Sequence, residues 1–304
     1  MKIGMGLEVD GTLDDVVARA QGLAATGVNS LWSAQIFGWD ALTALAVVGR
    51  EVPGVSLGTA VVPVHPRHPT MLAAQALTVQ SATGGRLTLG IGLSHKLVVE
   101  GIWGLSYDHP ARYMEEYLSI LMPLLSGEQV SFQGEALRAN TLGPPETAGA
   151  SAPPVLVAAL GPVMLGIAAR QASGTITWMV GLQTLAQHIV PTITAAATAA
   201  GRPEPRVVVS LPVCVTADAD AALERAGRLF TIYGQLPSYR AMLDREGVAG
   251  PPDVALVGSE EEVAAAVTRV AEAGATEFSA VVYGTPDEVE RTQRLMGALA
   301  TSSV

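Results

Sequence analysis

The sequence predicts an α/β protein in which eight parallel strands, each followed by a helix, close into a (β/α)8 TIM barrel. Length is the first observation: 304 residues, 49% of them apolar, suffice for one large core, and we expect a single domain over residues 1–304. The second is alternation, because nearly continuous apolar runs are each followed by a helical pattern, which is typical of a parallel sheet covered by helices. The third is number, because eight such units favour a closed sheet; an open doubly wound sheet is the alternative.

Apolar runs bounded by glycine, proline or polar residues are the predicted strands. They span residues 1–9, 30–34, 55–61, 87–92, 154–158, 174–178, 207–214 and 278–283. The helices predicted most clearly span residues 13–26, 39–48, 69–83, 111–125 and 286–299. Asp10 or Thr12 is a candidate cap for the first helix, and Pro69 suits the first turn of the helix that it begins.

Two segments interrupt the alternation and are predicted to be insertions. Residues 126–154 are polar and contain glycine and proline, with two short strand-like runs at 130–132 and 136–138. Residues 233–252 contain a helical pattern at 239–245, and this segment is placed to cover the barrel mouth. We expect both insertions to shape specificity, because loops on a rigid scaffold carry binding residues.

The composition favours a small-molecule substrate over larger partners. A net charge of −10 and a pI near 5.0 repel both nucleic-acid backbones and anionic lipids, so we expect neither partner. Residues 147–169 and 171–201 each hold no Asp, Glu, Lys or Arg, but proline and glycine break both stretches, and His188 also interrupts the second, which favours core over membrane spans. The first residues lack the apolar run of a signal peptide, so we expect a cytoplasmic protein.

Several kinds of catalytic site have no support in the sequence. The lone Cys214 lies in an apolar strand, which predicts a buried thiol rather than a nucleophile. Among five histidines, His65 and His68 come closest to metal-ligand spacing, but they flank a proline-bounded loop, so we predict no metal. The chain has no phosphate loop and no serine elbow, and Gly90-Ile91-Gly92 lacks the third glycine of a dinucleotide fingerprint.

Three motifs carry a family resemblance. They are Arg67-His68-Pro69, Ala73-Ala74-Gln75 in the following helix, and Gly84-Gly85-Arg86-Leu87-Thr88-Leu89-Gly90-Ile91-Gly92. In this order they resemble the bacterial luciferase-like oxidoreductases, α/β barrels that bind FMN or the deazaflavin coenzyme F420. The resemblance extends from the first strand to residues 257–261. Arg67-His68-Pro69 and the absence of an oxygenase signature make the chain most similar to the F420-dependent branch, with FMN as the alternative cofactor.

The resemblance implies where a cofactor would bind. It implies a non-proline cis peptide at Ala60-Val61 against the ring, and a phosphate position in the turn that opens the helix after 154–158; a plain core strand and a tight turn are the alternatives. The end of the strand at 174–178 would line the phosphate or ribityl region. The implied cofactor-binding residues are Ala60, Val61, Ser94, His95, Ala159, Leu160, Gly161, Pro162, Trp178 and Gly181, with Thr177 beside them.

The candidate catalytic residues are His95 and Glu8. His95 stands where F420-dependent relatives can carry an acidic residue, and a histidine there is suited to donate a proton as hydride arrives. A histidine that only hydrogen-bonds the phosphate or the backbone is the alternative, and His65 and His68 are other candidates, although His68 is better placed to brace a helix start. Glu8 follows the first strand, where a capping or solvated role is equally consistent with the sequence.

An apolar slot after the second strand is the predicted substrate pocket. Its residues would be Trp32, Gln35, Phe37, Trp103 and Tyr107, although aromatic residues at such spacing also occur in cores. Ala34-Gln35 occupy positions where some F420-dependent relatives have an Asp-His pair. Since removal of hydride from a hydroxyl needs a nearby base, this difference favours reduction.

The sequence therefore predicts an F420H2-dependent reductase that transfers hydride to a C=C or C=N bond of a small organic substrate. The alternatives are an FMN-dependent monooxygenase, a cofactor-binding protein without catalysis, and a barrel lyase or isomerase without a redox cofactor. Similarity to luciferase-like barrels also implies a homodimer through the helical faces at 41–48 and 71–79, unless these faces only pack on the barrel.

Overall fold

A closed parallel barrel, surrounded by helices, forms the centre of the computed structural model, which describes residues 1–147 and 149–302. The strands of the described residues are β1 (Lys2–Gly6), β2 (Ser30–Ser33), β3 (Ser56–Thr59), β4 (Val62–Pro63), β5 (Leu87–Gly92), β6 (Ser131–Gln133), β7 (Arg138–Asn140), β8 (Val155–Ala158), β9 (Gly174–Trp178), β10 (Arg206–Val215), β11 (Leu256–Gly258) and β12 (Glu277–Val282). Hydrogen bonds join the barrel strands in the closed order β1, β2, β3, β5, β8, β9, β10, β12 and back to β1. The predicted fold class is confirmed.

Helices cover the outside of the barrel. They are α1 (Leu13–Ala25), α2 (Ala41–Glu51), α3 (Pro69–Ala82), α4 (Lys96–Gly101), α5 (Pro110–Leu125), α6 (Pro162–Gln171), α7 (Leu182–Thr184), α8 (Val190–Ala199), α9 (Ala219–Leu229), α10 (Pro237–Glu246), α11 (Glu260–Glu272) and α12 (Pro286–Ser302). A π-helical turn, Leu185–Ile189, joins α7 to α8, so the chain is helical without a break from residue 182 to 199. No helix in the described part of the chain is long and apolar enough to cross a membrane.

Local sequence signals explain several helix starts. Thr12, rather than Asp10, caps α1: its hydroxyl accepts from the backbone N–H of Asp15, and the Asp15 carboxylate accepts in return from the N–H of Thr12. Pro69 occupies the first turn of α3, as predicted, where its missing N–H has no cost.

Glycines on neighbouring strands allow the barrel wall to close tightly. A Cβ atom on Gly58 would lie 2.4 Å from the indole ring of Trp32, and one on Gly90 would lie 1.9 Å from the carbonyl oxygen of Thr59. The hydroxyl of Thr59 donates to the carbonyl of Gly90 and accepts from its N–H, at 2.7 and 2.8 Å. The glycine spacing in β5 therefore serves the contact with β3.

An ion pair between the buried Glu277 and the partly buried Arg206 closes the amino-terminal end of the barrel. Glu277, only 3% exposed, accepts from the Ser30 hydroxyl at 2.5 Å, the Trp32 indole N–H at 3.0 Å and the Arg206 guanidinium at 3.0 Å. Arg206 also donates to Thr88 of β5 at 3.2 Å. A buried carboxylate needs such partners, so this network links four of the barrel strands.

Both predicted insertions have secondary structure, although Ala148 lies outside the described residues. The predicted strand pair is the antiparallel hairpin β6–β7, which begins one residue later on its first strand and two residues later on its second. Three consecutive backbone N–H groups, of Glu135, Ala136 and Leu137, donate to the Glu116 carboxylate of α5. Burial raises the pKa of Glu116, but these bonds outweigh it and hold the pKa below its ordinary value. The helix predicted at 239–245 is α10.

Candidate active site at the barrel mouth

The predicted cofactor-binding residues lie along one arc of the barrel mouth. They follow the carboxyl ends of β3, β5, β8 and β9, which are consecutive neighbours in the barrel. In parallel barrels the carboxyl ends of the strands carry the chemistry. The fold thus brings together residues that lie up to 121 positions apart in the sequence, from Ala60 to Gly181.

The peptide bond between Ala60 and Val61 is cis, as predicted. The Ala60 N–H donates to the carbonyl of Ser33 at 2.8 Å, and the Val61 carbonyl accepts from the N–H of Gln35 at 3.2 Å. Both side chains are partly buried and pack on the cluster inside the barrel that contains Trp32. A contact between this segment and a cofactor ring stays a prediction.

His95 follows a tight turn at the end of β5. Ser94 has a φ of 61°, in the left-handed region, and its carbonyl accepts from the Tyr107 hydroxyl at 3.3 Å. His95 stands at the start of α4, where its side chain makes no capping bond to the described helix, and its ring centroid lies 5.7 Å from that of Tyr239 in α10. Burial lowers the pKa of His95 below its ordinary value, so the ring is neutral at pH 7.

The two alternative histidines differ in their surroundings. His65 is stacked between Tyr107 and Tyr113, with ring centroids 5.4 and 4.5 Å away, and burial lowers its pKa as well. His68 caps α3: its Nδ1 lies 2.8 Å from the Thr70 hydroxyl, and its Nε2 lies 3.1 Å from the carbonyl of Arg138. The predicted bracing role of His68 is confirmed.

The first turn of α6 is open. Gly161 stands at the N-cap and Pro162 at the first helical position, and no side chain of the described residues caps this turn. A Cβ atom on Gly161 would meet no described atom within 4 Å. Ala159 is buried, and Leu160 accepts from His188 at 2.8 Å, which holds the turn in place. Backbone N–H groups at such a helix start suit an anion, so the turn fits a phosphate.

The corresponding turn after β9 is filled by the protein itself. Gly181 precedes the helical run 182–199, and the Glu246 carboxylate accepts from the N–H of Gln183 at 3.0 Å and of Thr184 at 2.6 Å. A Cβ atom on Gly181 would lie 2.2 Å from the Glu246 carboxyl carbon. The sequence analysis placed Gly181 near a cofactor phosphate and did not foresee this acidic occupant.

Aromatic residues of the second insertion, together with Phe230 just before it, lie over this side of the mouth. Trp178 makes edge-on contacts with Phe230 and Tyr233, at centroid distances of 5.7 and 5.6 Å, and Tyr233 lies 5.2 Å from Tyr239. The prediction that residues 233–252 cover the mouth agrees with these contacts. The individual aromatic residues were missed, because only the tertiary fold brings them to β9 and β5.

A buried hydroxyl beside Trp178 lacks a partner. Ser210 of β10 is 5% exposed, and its hydroxyl oxygen has no hydrogen-bond partner among residues 1–147 and 149–302. It lies opposite Trp178 in the strand register, and Val208, two residues earlier, belongs to the cluster inside the barrel. Ser210 therefore faces the barrel interior, where an unpaired hydroxyl favours a polar ligand atom or water.

The residues predicted for the substrate pocket are dispersed. Trp32 is buried inside the barrel and bonded to Glu277, so in the structure it is a core residue, the alternative interpretation. Gln35 shapes its own loop by accepting from the N–H of Ala41 at 2.8 Å, and Phe37 is 66% exposed on that loop.

The other two pocket candidates lie beyond β5. Trp103 and Tyr107, in the segment between α4 and α5, are half-buried.

Glu8, the second catalytic candidate, is exposed, and its backbone carbonyl accepts from Arg19. Cys214 is buried, and burial, together with nearby Glu288, raises its pKa to about 11, so the thiol is not a nucleophile at neutral pH.

The fold and the arc of residues define a class of proteins, the luciferase-like barrels. The sequence model of the luciferase-like monooxygenase family matches residues 1–292, and the chain belongs to this family. Among curated proteins, an uncharacterized protein of Mycobacterium tuberculosis is 27% identical over 258 residues, covering 79% of this chain and 76% of the relative. The 5,10-methylenetetrahydromethanopterin reductase of Methanolobus tindarius is 25% identical over 230 residues, covering 73% and 68%. An F420-dependent hydroxymycolic acid dehydrogenase of M. tuberculosis is 29% identical over 178 residues, covering 54% and 48%.

Solved structures share the fold. The coenzyme F420 dependent tetrahydromethanopterin reductase from Methanopyrus kandleri superposes with a TM-score of 0.83 at 20% identity, covering 100% of this chain and 99% of that chain. The oxygenating constituent of 3,6-diketocamphane monooxygenase from Pseudomonas putida, in complex with FMN, superposes with a TM-score of 0.77 at 17% identity, covering 100% and 99%. Relatives thus use F420 or FMN.

Proposed function

We propose that this chain is a coenzyme F420-dependent reductase that transfers hydride from F420H2 to a C=C or C=N bond of a small organic substrate. The observation that carries the proposal is the arc of residues 60–61, 94–95, 159–162 and 178–181 at one side of the barrel mouth. The names of relatives in the family, an F420-dependent dehydrogenase and a reductase, support this choice.

The described residues fit a phosphorylated, ring-containing cofactor. The open first turn of α6, from Gly161 onward, would hold its phosphate, and the partly exposed Ala60-Val61 segment would face its ring. The unpaired Ser210 hydroxyl offers a polar contact inside the mouth. When bound, the reduced deazaflavin supplies the hydride, while the protein orients the substrate and excludes water.

His95 is the residue that we propose to move the proton. Its ring is neutral at pH 7, because burial lowers its pKa, and its side chain makes no capping bond to the described part of α4. It takes a proton from solvent and delivers it to the substrate atom next to the one that receives hydride. Partial burial disfavours the protonated imidazole of His95, so the step is favoured below neutral pH.

The surroundings of β2 support reduction over oxidation of a hydroxyl. Gln35 is bonded within its loop, and Asp40, the first acid after β2, pairs with Arg67 at 2.5 Å and accepts from Gln75 at 2.8 Å. Burial raises the pKa of Asp40, but bonds from Thr43 and Arg67 outweigh it, so the carboxylate is a poor base.

Anaerobic turnover tests the proposal. Purified protein is mixed with F420H2 and a panel of enones, enals and imines, and deazaflavin absorbance reports oxidation of the cofactor. We expect turnover with at least one unsaturated compound and none with secondary alcohols and oxidised F420. Turnover only with alcohols would contradict the proposed direction.

FMN-dependent oxygenation is the second candidate, because the matched family is that of the luciferase-like monooxygenases and an FMN-bound monooxygenase shares the fold. Oxygen uptake separates the two. A monooxygenase consumes oxygen with each substrate turnover, whereas an F420H2-dependent reductase works without it. Tight cofactor binding with no turnover of any kind would instead indicate a binding protein.

A homodimer through the early helices is also part of the proposal. The structure uses most apolar residues of α2, including Leu42 and Leu45, to pack on the barrel, while Met71 at the start of α3 is 68% exposed. Light scattering of the purified protein tests this point. A monomeric mass would limit these helices to barrel packing.

A further inference from the structure

Residues 230–254, here called the cover segment, hold together two parts of the mouth. Phe230 and Tyr233 pack edge-on against Trp178 at the end of β9, and Tyr239 contacts both Tyr233 and His95. The cover segment therefore touches the ends of β9 and β5, where the cofactor phosphate and the proposed proton donor would lie.

Glu246 anchors the cover segment through its charge. It is the last residue of α10, a position at which the dipole of its own helix disfavours a carboxylate. Its two carboxylate oxygens instead accept from the backbone N–H groups of Gln183 and Thr184, in the first turn of the eighteen-residue helical run 182–199. The carboxylate occupies the space that a side chain at Gly181 would need, since a Cβ atom there would lie 2.2 Å from its carbon. The carboxylate of Glu246 thus occupies the place at the start of helix 182–199 where an anion could otherwise bind.

The neighbouring anion position is not filled. The first turn of α6 has no capping side chain among the described residues, and Gly161 faces open space. The two turns are adjacent, because Nε2 of His188 in the helical run donates to the backbone carbonyl of Leu160, just before α6, at 2.8 Å. A phosphate beside Glu246 would meet a like charge at contact distance, whereas the first turn of α6 offers backbone N–H groups that no described side chain caps.

We propose that Glu246 is a specificity-determining residue: its carboxylate excludes a ligand phosphate from the start of helix 182–199 and leaves α6 as the phosphate position. The identity of the ligand as F420 or FMN rests on the proposed function. The exclusion by Glu246 applies only to a phosphate group, whichever of these ligands carries it. At the Gly181 side, the mouth then accepts only an uncharged portion of the ligand.

Inorganic phosphate is the probe for the first test. Calorimetric titration with phosphate, at ionic strength held constant with chloride, measures the number and affinity of sites on wild-type protein and on Glu246→Ala. We expect Glu246→Ala to gain a phosphate site, or to bind phosphate about tenfold more tightly, as expected for an uncapped helix start. Equal stoichiometry and affinity in the two proteins would overturn the proposal.

Two further variants keep the test interpretable. Glu246→Gln preserves the side-chain volume and one acceptor oxygen, so it keeps the cover segment closed and should gain less phosphate binding than Glu246→Ala. Asp244→Asn removes an exposed charge from the same helix, where Asp244 pairs with Arg240 four residues earlier, and this variant should bind phosphate as wild type does. A gain in Asp244→Asn equal to that in Glu246→Ala would show a general charge effect and overturn the proposal.

The cofactor test separates this inference from the proposed function. Riboflavin and FMN differ only in the phosphate, so the ratio of their dissociation constants reports the phosphate contribution. We expect this ratio to shift toward FMN by about tenfold in Glu246→Ala. If neither F420 nor FMN binds any variant while the phosphate site appears in Glu246→Ala, the proposed function fails and the role of Glu246 stands. An unchanged ratio and an unchanged phosphate titration would overturn the role of Glu246 alone.

Discussion

One added methyl group at Gly92 tests how the segment that follows β3 packs against β5 at the barrel mouth. A Cβ atom there would lie 2.7 Å from Cγ2 of Val61 and 3.3 Å from Cβ of Ala158. Carbon atoms in good contact are about 3.5–4.0 Å apart, so Val61 must move. Overpacking of this kind costs about 1–3 kcal/mol, and replacing glycine in a strand regains about 0.5–1 kcal/mol. We expect Gly92→Ala to lower the free energy of unfolding by about 1–2 kcal/mol.

Urea unfolding followed by tryptophan fluorescence measures this effect. Val61→Ala removes the methyl group that would collide, so the double variant should be more stable than the sum of the single effects. Gly22→Ala is the matched control: it lies in α1, its Cβ would meet no described atom within 4 Å, and we expect it to stabilise by about 0.5–1 kcal/mol. A fully stable Gly92→Ala that shows no coupling to Val61→Ala would refute the packing argument.

Three more predictions follow from other contacts. His95→Ala should reduce turnover about 100-fold without abolishing cofactor binding, and wild-type turnover should fall as pH rises through the lowered pKa of His95; a pH profile shared by both proteins would remove His95 from proton transfer. Glu277→Ala leaves the partly exposed Arg206 without its acid and should lower the unfolding free energy by about 1–3 kcal/mol, measured in urea. Glu116→Gln should destabilise the protein at pH 7. Because the folded pKa of Glu116 is lowered, this difference should vanish as pH falls from about 4.5 through that pKa, and a pH-independent difference would contradict the assignment.

The barrel itself was predictable because its signals are local. A buried parallel strand is a short apolar run, and each was found within a few residues of its observed position, as in β5 at residues 87–92. The cap at Thr12 and the proline at the start of α3 are equally local. The short strand β11 and the helix α4 were not predicted, since three and six residues carry too little periodicity.

The site was predictable only in part because its remaining features depend on tertiary contacts. The resemblance placed the cis peptide at Ala60-Val61 correctly, which composition alone could not have done. Glu246 binds N–H groups more than 60 residues earlier in the chain, and no sequence spacing predicts that pairing. Trp32 was assigned to a pocket because it is aromatic and follows an apolar run, but the glycine at position 58 on the neighbouring strand gives its ring a place inside the barrel.

A side-by-side binding titration is the most direct test of the central claim. Purified protein is titrated with F420 and with FMN, each oxidised and reduced, and quenching of tryptophan fluorescence reports binding near Trp178 at the mouth. The account predicts that F420 binds more tightly than FMN and that Gly161→Asp, which places an acid at the open turn of α6, weakens F420 binding. Preference for FMN, or equal F420 affinity in Gly161→Asp, would contradict it.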